Sequence, residues 1–174
     1  MRAQFGDLGP EAIALYEAAG EKEPPVDAIY GDLHDRYGSD VSFRIPGIIH
    51  GEWHAQAGNR VWQYEFDRAT APRPRVRHSD ELPFVFGNFY RDHGAVTGEF
   101  DATDRRLSTI VQAYWANFAT TGNPNGPGVP EWPEFDQRGR KFMRFSLTGE
   151  AAAAADQRGR FVDLFRRSLE RDGK

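Results

Sequence analysis

A single histidine, His78, sits in the polar stretch Val76-Arg77-His78-Ser79-Asp80-Glu81, directly before the apolar run Leu82-Pro83-Phe84-Val85-Phe86. With an unperturbed pKa of about 6.5, an imidazole in such a place can take a proton from a hydroxyl and return it to a leaving alkoxide. That chemistry needs a turn held by packing. Leu82, Phe84 and Phe86 are expected to pack behind it, and Pro83 to stiffen the chain as it leaves the turn. Read more plainly, His78 is an ordinary loop histidine. Glu81 is then a solvated carboxylate or the partner of Arg73, Arg75 or Arg77, and Phe84, Phe86, Phe89 and Tyr90 belong to a core rather than to a substrate pocket.

A second constellation is His50-Gly51-Glu52-Trp53-His54. Two imidazoles four apart on a helix can share one metal ion. Glu52 is two residues after the first histidine, so the run is not H-E-x-x-H, and the expected state is a pair of surface histidines with no metal. His34 and His93 have no such company.

These residues have to be positioned by elements that the pattern foretells. Pro10 to Ala19 reads as a short helix ended by Gly20, and a second runs from about Val26 to Tyr37 before Gly38. A third, capped by Ser39 or Asp40, tolerates Pro46 in its early turns and stops at Gly58. Val61 to Phe66 is β-branched and aromatic at nearly every second place, which reads as a strand. Leu107, Ile110, Val111, Tyr114, Trp115 and Phe118 share one helical face, with Asp101, Asp104 and Gly122 as favourable ends. A turn-rich loop then leads to Trp132 as an anchor, Lys141 to Leu147 reads as a second strand, and the alanine run Ala151 to Ala155 follows. Phe161, Leu164, Phe165 and Leu169 make a final amphipathic helix.

The bulk properties narrow the class. At 174 residues the chain is long enough for a real core, and one compact unit is the default at roughly 150 residues per domain. A net charge of −4 offers no basic excess to track phosphates, so nucleic acid is not an expected partner. No apolar run has the length of a membrane span or a secretory signal, and the default location is the cytoplasm. The chain has no cysteine, which excludes disulfides and cysteine-based zinc sites.

Five landmarks in order carry a resemblance: Asp40 to Pro46, Val61 to Phe66, the His78 to Asn88 block, the Tyr114 to Pro133 block (YWANFATTGNPNGP and onward), and the terminal helix. From about Gly38 the chain resembles the C-terminal part of type-B carboxylesterases, the cholinesterase-like branch of the α/β-hydrolases. The inventory of elements suggests an α/β fold, helix-rich with about two sheet strands that form one side of a larger, here incomplete sheet, and the resemblance implies that residues 1–174 form one C-terminal segment of an α/β-hydrolase domain. It also implies that His78 is the catalytic triad base, that Glu81 supports the site, that the substrate is a small-molecule ester and that no cofactor is required.

The nucleophile half is missing. The triad of α/β-hydrolases runs serine, acid, histidine, with the serine inside G-x-S-x-G. None of Ser39, Ser42, Ser79, Ser108, Ser146 and Ser168 has glycines at both −2 and +2. Ser79 adjoins His78, but neighbours in a turn rarely reach attack geometry. The triad acid and the oxyanion-hole glycines are expected upstream of Met1. Asp32, Asp35, Asp40 and Asp67 precede His78 and are the carboxylates in this chain that could orient it, with Asp40 better explained as a helix cap. The leading expectation is therefore an ester-hydrolase segment that supplies His78, associating with an upstream esterase fragment or with itself. The alternative is a non-catalytic interaction module of the same superfamily, and a metal-binding helical domain ranks last.

Overall fold

The computed structural model describes residues 2–22, 33–70, 76–89, 99–136, 139–155 and 158–172, apart from the side chains of residues 2–3, 19–22, 33–35 and 172. In chain order the elements are α1 (Arg2–Phe5), a 3₁₀ turn (Gly6–Leu8), α2 (Gly9–Lys22), α3 (Leu33–Ser39), a π turn (Asp40–Arg44) and α4 (Ile45–Gln56). There follow β1 (Tyr64–Phe66), α5 (Leu82–Phe86), α6 (Ala102–Thr121), β2 (Lys141–Phe145), β3 (Ala151–Ala155) and α7 (Gly159–Asp172). No described helix is long and apolar enough to cross a membrane.

The sequence suggests one compact unit, whereas the structure divides into two. The first is helical and joins residues 1–59 to 156–174, so it is assembled from both ends of the chain; the second is residues 60–155. The first unit is discontinuous in sequence, so no single stretch of the chain marks its boundary.

In the helical unit, Gly38 does not end a helix. The backbone runs from α3 through the π turn into α4, with the Ile45 N–H donating to the Asp40 carbonyl. Pro46 explains the widening: it has no N–H to give the carbonyl of residue 42 and its ring crowds that carbonyl, so the chain opens into an i to i+5 turn instead of breaking. Asp40 consequently has no helix terminus to cap. Its carboxylate is fully buried, accepts the Tyr16 hydroxyl at 2.8 Å and pairs with Arg158. Burial, with Asp40 adding to it, pushes the Tyr16 phenol above its usual range and keeps it a donor. Phe161, Leu164 and Phe165 of α7 are buried as their spacing predicts, but Leu169 is 57% exposed and Ser168 takes the inward position.

The second unit holds a three-stranded sheet in the order β1-β2-β3. β1 pairs parallel with β2, Tyr64 opposite Met143 and Phe66 opposite Phe145. Thus the Val61 to Phe66 segment, for which the sequence offers no neighbour, has one; its ladder is confined to Tyr64–Phe66. β2 pairs antiparallel with β3, Phe145 opposite Ala151 and Lys141 opposite Ala155. The alanine run is therefore a strand, joined to β2 by a tight hairpin in which the Ser146 N–H meets the Glu150 carbonyl at 2.8 Å and Gly149 takes φ +81°.

Helix α6 packs against this sheet. Leu107, Val111 and Tyr114 are buried with Phe84, Trp132, Met143 and Phe145 in the core, while Ile110 and Trp115 lie partly buried beside it. Phe118, expected on the same face, is 51% exposed. The start of α6 is a complete capping box: the Asp104 N–H donates to Asp101 at 2.9 Å and the Asp101 N–H to Asp104 at 2.8 Å. Gly122 closes the other end at φ +73°. Trp132 anchors the loop as expected, its indole N–H donating to the Gln63 carbonyl at 2.9 Å.

Candidate functional site

The end of β1 is braced from two sides. Asp67 is buried and accepts from the Arg144 guanidinium at 2.6 Å, and the Asp67 N–H extends the ladder to the Phe145 carbonyl at 2.8 Å. Arg68 donates to buried Asp104 at 2.7 Å, to Asp101 at 3.1 Å and to the Leu147 carbonyl at 2.7 Å, which ties the strand end to the start of α6 and to the β2–β3 hairpin. Desolvation works to lower the Arg68 pKa, and the two carboxylates outweigh it and raise the pKa above its ordinary value.

His78 comes after this braced strand end, in a turn closed by Arg77 and Asp80. The Asp80 N–H donates to the Arg77 carbonyl at 3.2 Å. His78 and Ser79 are the two central residues, and Ser79 has φ +73°, as the third residue of a type II turn requires. The imidazole side chain is exposed at the corner of the turn, whereas Asp80 is 4% exposed and accepts the Arg77 N–H at 2.8 Å. Immediately afterwards α5 begins: the Glu81 carbonyl accepts from Phe84 at 2.9 Å and from Val85 at 3.0 Å, Pro83 sits in its first turn, and Gly87 ends it at φ +62°.

Pro83 and Phe84 are the buried residues of this helix, and Val85 packs partly buried against the core beside them. Phe84 is fully buried and meets the ring of Phe66, the last residue of β1, edge-on at 4.9 Å. Its carbonyl accepts the buried Ser108 hydroxyl of α6 at 2.8 Å. Leu82 and Phe86, expected to share the packing, are 43% and 73% exposed. They lie four apart on one face of α5, so when Phe84 points inward they point out.

Glu81 is partly buried, and its charge adds to burial in pushing the Tyr64 phenol of β1 up to about 12. That phenol stays protonated at ordinary pH. Of its suggested partners, Arg73 and Arg75 lie outside the described residues. Among the carboxylates suggested for orienting His78, Asp40 is engaged with Tyr16 and Arg158, and Asp67 with Arg144. Asp32, the side chain of Asp35, and His93 lie outside the described residues, as does the side chain of His34. Asp80 is the carboxylate that sequence reasoning passes over. The available signal is its place two residues after His78 and just before a proline-led helix.

His50 and His54 are exposed on α4, with the His50 ring 5.6 Å from Trp53. Glu52 points the other way: it is 2% exposed and pairs with Arg166 of α7. It does not join the two imidazoles, and no group of three or more metal-ligating side chains occurs among the described residues.

The model of the carboxylesterase family matches residues 13–162. The chain belongs to that family. It is 38% identical over 128 residues to carboxylesterase 1D of Rattus norvegicus, covering 70% of this chain and 22% of the relative. It is 33% identical over 152 residues to liver carboxylesterase 1 of Mus musculus, covering 83% of this chain and 25% of the relative. Among solved structures, the Geobacillus stearothermophilus carboxylesterase EST55 superposes with a TM-score of 0.74 at 26% identity, over 94% of this chain and 33% of that one. Part of the α/β-hydrolase fold implied by the resemblance is therefore present, in a chain that spans about a quarter of the length of its curated carboxylesterase relatives.

Proposed function

We propose that this chain is the C-terminal, histidine-bearing segment of a carboxylic-ester hydrolase, with His78 as general base and acid and Glu81 supporting its turn. The serine nucleophile and the triad acid come from outside these 174 residues. The observation that carries the reading is the Phe66–Phe84 contact at 4.9 Å. It anchors the helix that follows the His78 turn against the last residue of a parallel strand, and open α/β sheets hold their ligands beyond the carboxyl ends of such strands. An exposed imidazole on a turn fixed there can reach a hydroxyl presented by another segment.

The serine oxygen attacks the ester carbonyl as His78 takes its proton; the imidazolium then gives that proton to the departing alkoxide. Water attacks the acyl-enzyme with His78 again as base, releasing the acid and restoring the serine.

The test mixes the chain with the upstream segment of a related carboxylesterase and follows hydrolysis of an activated short-chain ester. Restored turnover that falls by about a thousandfold or more with His78→Ala is the expected result. Turnover indifferent to that substitution would remove His78 from the mechanism. The lack of any G-x-S-x-G in the chain favours one rival, a non-catalytic interaction module. Tight docking that never restores hydrolysis would favour that rival.

A further inference from the structure

We propose that Asp80 is the positioning residue of the histidine turn: its buried carboxylate clamps Arg77 and thereby fixes where His78 points. This rests on the reading of His78 as the base and adds a residue to that site. Arg77 and Asp80 exchange two hydrogen bonds. The Arg77 N–H donates to the Asp80 carboxylate at 2.8 Å, and the Asp80 N–H donates to the Arg77 carbonyl at 3.2 Å. Together they close the chain around His78 and Ser79, so the Cα–Cβ direction of His78 is set by its two neighbours in space.

The second observation is the backbone of Ser79. A φ of +73° is unfavourable for a residue with a Cβ, and such a conformation persists only where the surroundings impose it. The Asp80 clamp imposes it from within the turn. Downstream, the buried Ser108–Phe84 hydrogen bond at 2.8 Å fixes the helix into which the turn runs. Asp80 is 4% exposed beside a solvent-facing imidazole, so the turn is gripped on its inner side and presents the histidine on its outer side. A catalytic base is effective only when it is held within about 0.5 Å of its productive position, and a bare loop does not hold one so closely.

The experiment compares the 174-residue chain with Asp80→Ala and Asp80→Asn by amide NMR. Asparagine keeps the volume and one acceptor oxygen; alanine has no acceptor. Losing the clamp is expected to speed exchange of the Arg77 amide roughly tenfold and to lower the ¹⁵N order of His78 and Ser79. Amides in the middle of α6 should be unchanged, and Asp80→Asn should restore most of the protection. Unchanged order at His78 in Asp80→Ala, with α6 folded, would overturn the proposal. Should Asp80→Ala fail to fold, Asp80→Asn decides: a rigid His78 with a protected Arg77 amide supports the clamp, and a mobile His78 beside an intact α6 overturns it. Because these signals do not depend on turnover, failure of the clamp is distinguishable from failure of His78 as the base. The latter is read from His78→Ala in the reconstituted mixture.

Discussion

The Ser108 hydroxyl donates to the Phe84 carbonyl at 2.8 Å in a buried contact, and this bond ties the helix after the histidine turn to the longest helix of the described chain. It satisfies a carbonyl near the end of a five-residue helix that has no further turn of its own to do so. Ser108→Ala leaves that acceptor buried and unpaired, and should cost about 1–3 kcal/mol in urea unfolding followed by tryptophan fluorescence. A loss under about 0.5 kcal/mol would mean that the contact contributes little to holding α5.

Ser79 offers a change in the opposite direction. Relief of its left-handed backbone favours Ser79→Gly by about 1–2 kcal/mol, and the added freedom of the unfolded chain takes back about 0.4–1 kcal/mol. The net expectation is a small rise in thermal midpoint for Ser79→Gly and a clear fall for Ser79→Val, whose branched side chain fits that region worst. A reversed order would contradict the observed turn.

The capping box at the start of α6 should be visible as a pH effect. The Asp104 N–H holds the Asp101 carboxyl below its usual range, with Arg68 adding to it. A carboxyl lowered in the folded state stabilises the protein above its unfolded pKa of about 3.9, and that contribution is lost as pH falls through the folded value. Asp101→Ala is therefore expected to cost about 1 kcal/mol around neutral pH. In denaturation series, the gap between variant and parent should narrow steadily below about pH 4. A gap that is constant with pH would assign the loss to packing instead.

The sheet should make the free chain associate. Among the described residues β1 is paired on one side only, by β2, and Leu82, Phe86 and Phe118 stand exposed. Open strand edges and exposed apolar side chains both promote association. Light scattering should report species larger than the monomer, and Leu82→Lys with Phe86→Glu should shift them toward it. A parent chain that stays monomeric and binds no apolar dye would contradict the expectation.

Local chemistry was enough to read much of this molecule from its sequence. The 3.6-residue spacing from Leu107 to Phe118 foretells α6, Asp101 and Gly122 foretell its ends, and the β-branched aromatic run foretells the strand that precedes the histidine. The family blocks were likewise legible, and so was the turn on which His78 and Glu81 sit, because a turn before a proline-led helix is written in neighbouring residues.

Other features were decided only by groups far apart in sequence. Alanines with helical propensity form β3 because the hairpin supplies β2 as a partner, and ladder pairing outweighs an intrinsic preference of a few tenths of a kcal/mol per residue. Asp40 looks like a cap until Pro46 turns the helix break into a π turn and Tyr16 and Arg158 claim its carboxylate from 24 and 118 residues away. Phe84 goes inward and Leu82 and Phe86 outward because only one face of a short helix can meet Phe66 and Ser108. Sequence names the residue types and their periods; which carboxylate is buried and which aromatic is left in solvent depends on partners that only the folded chain brings within reach.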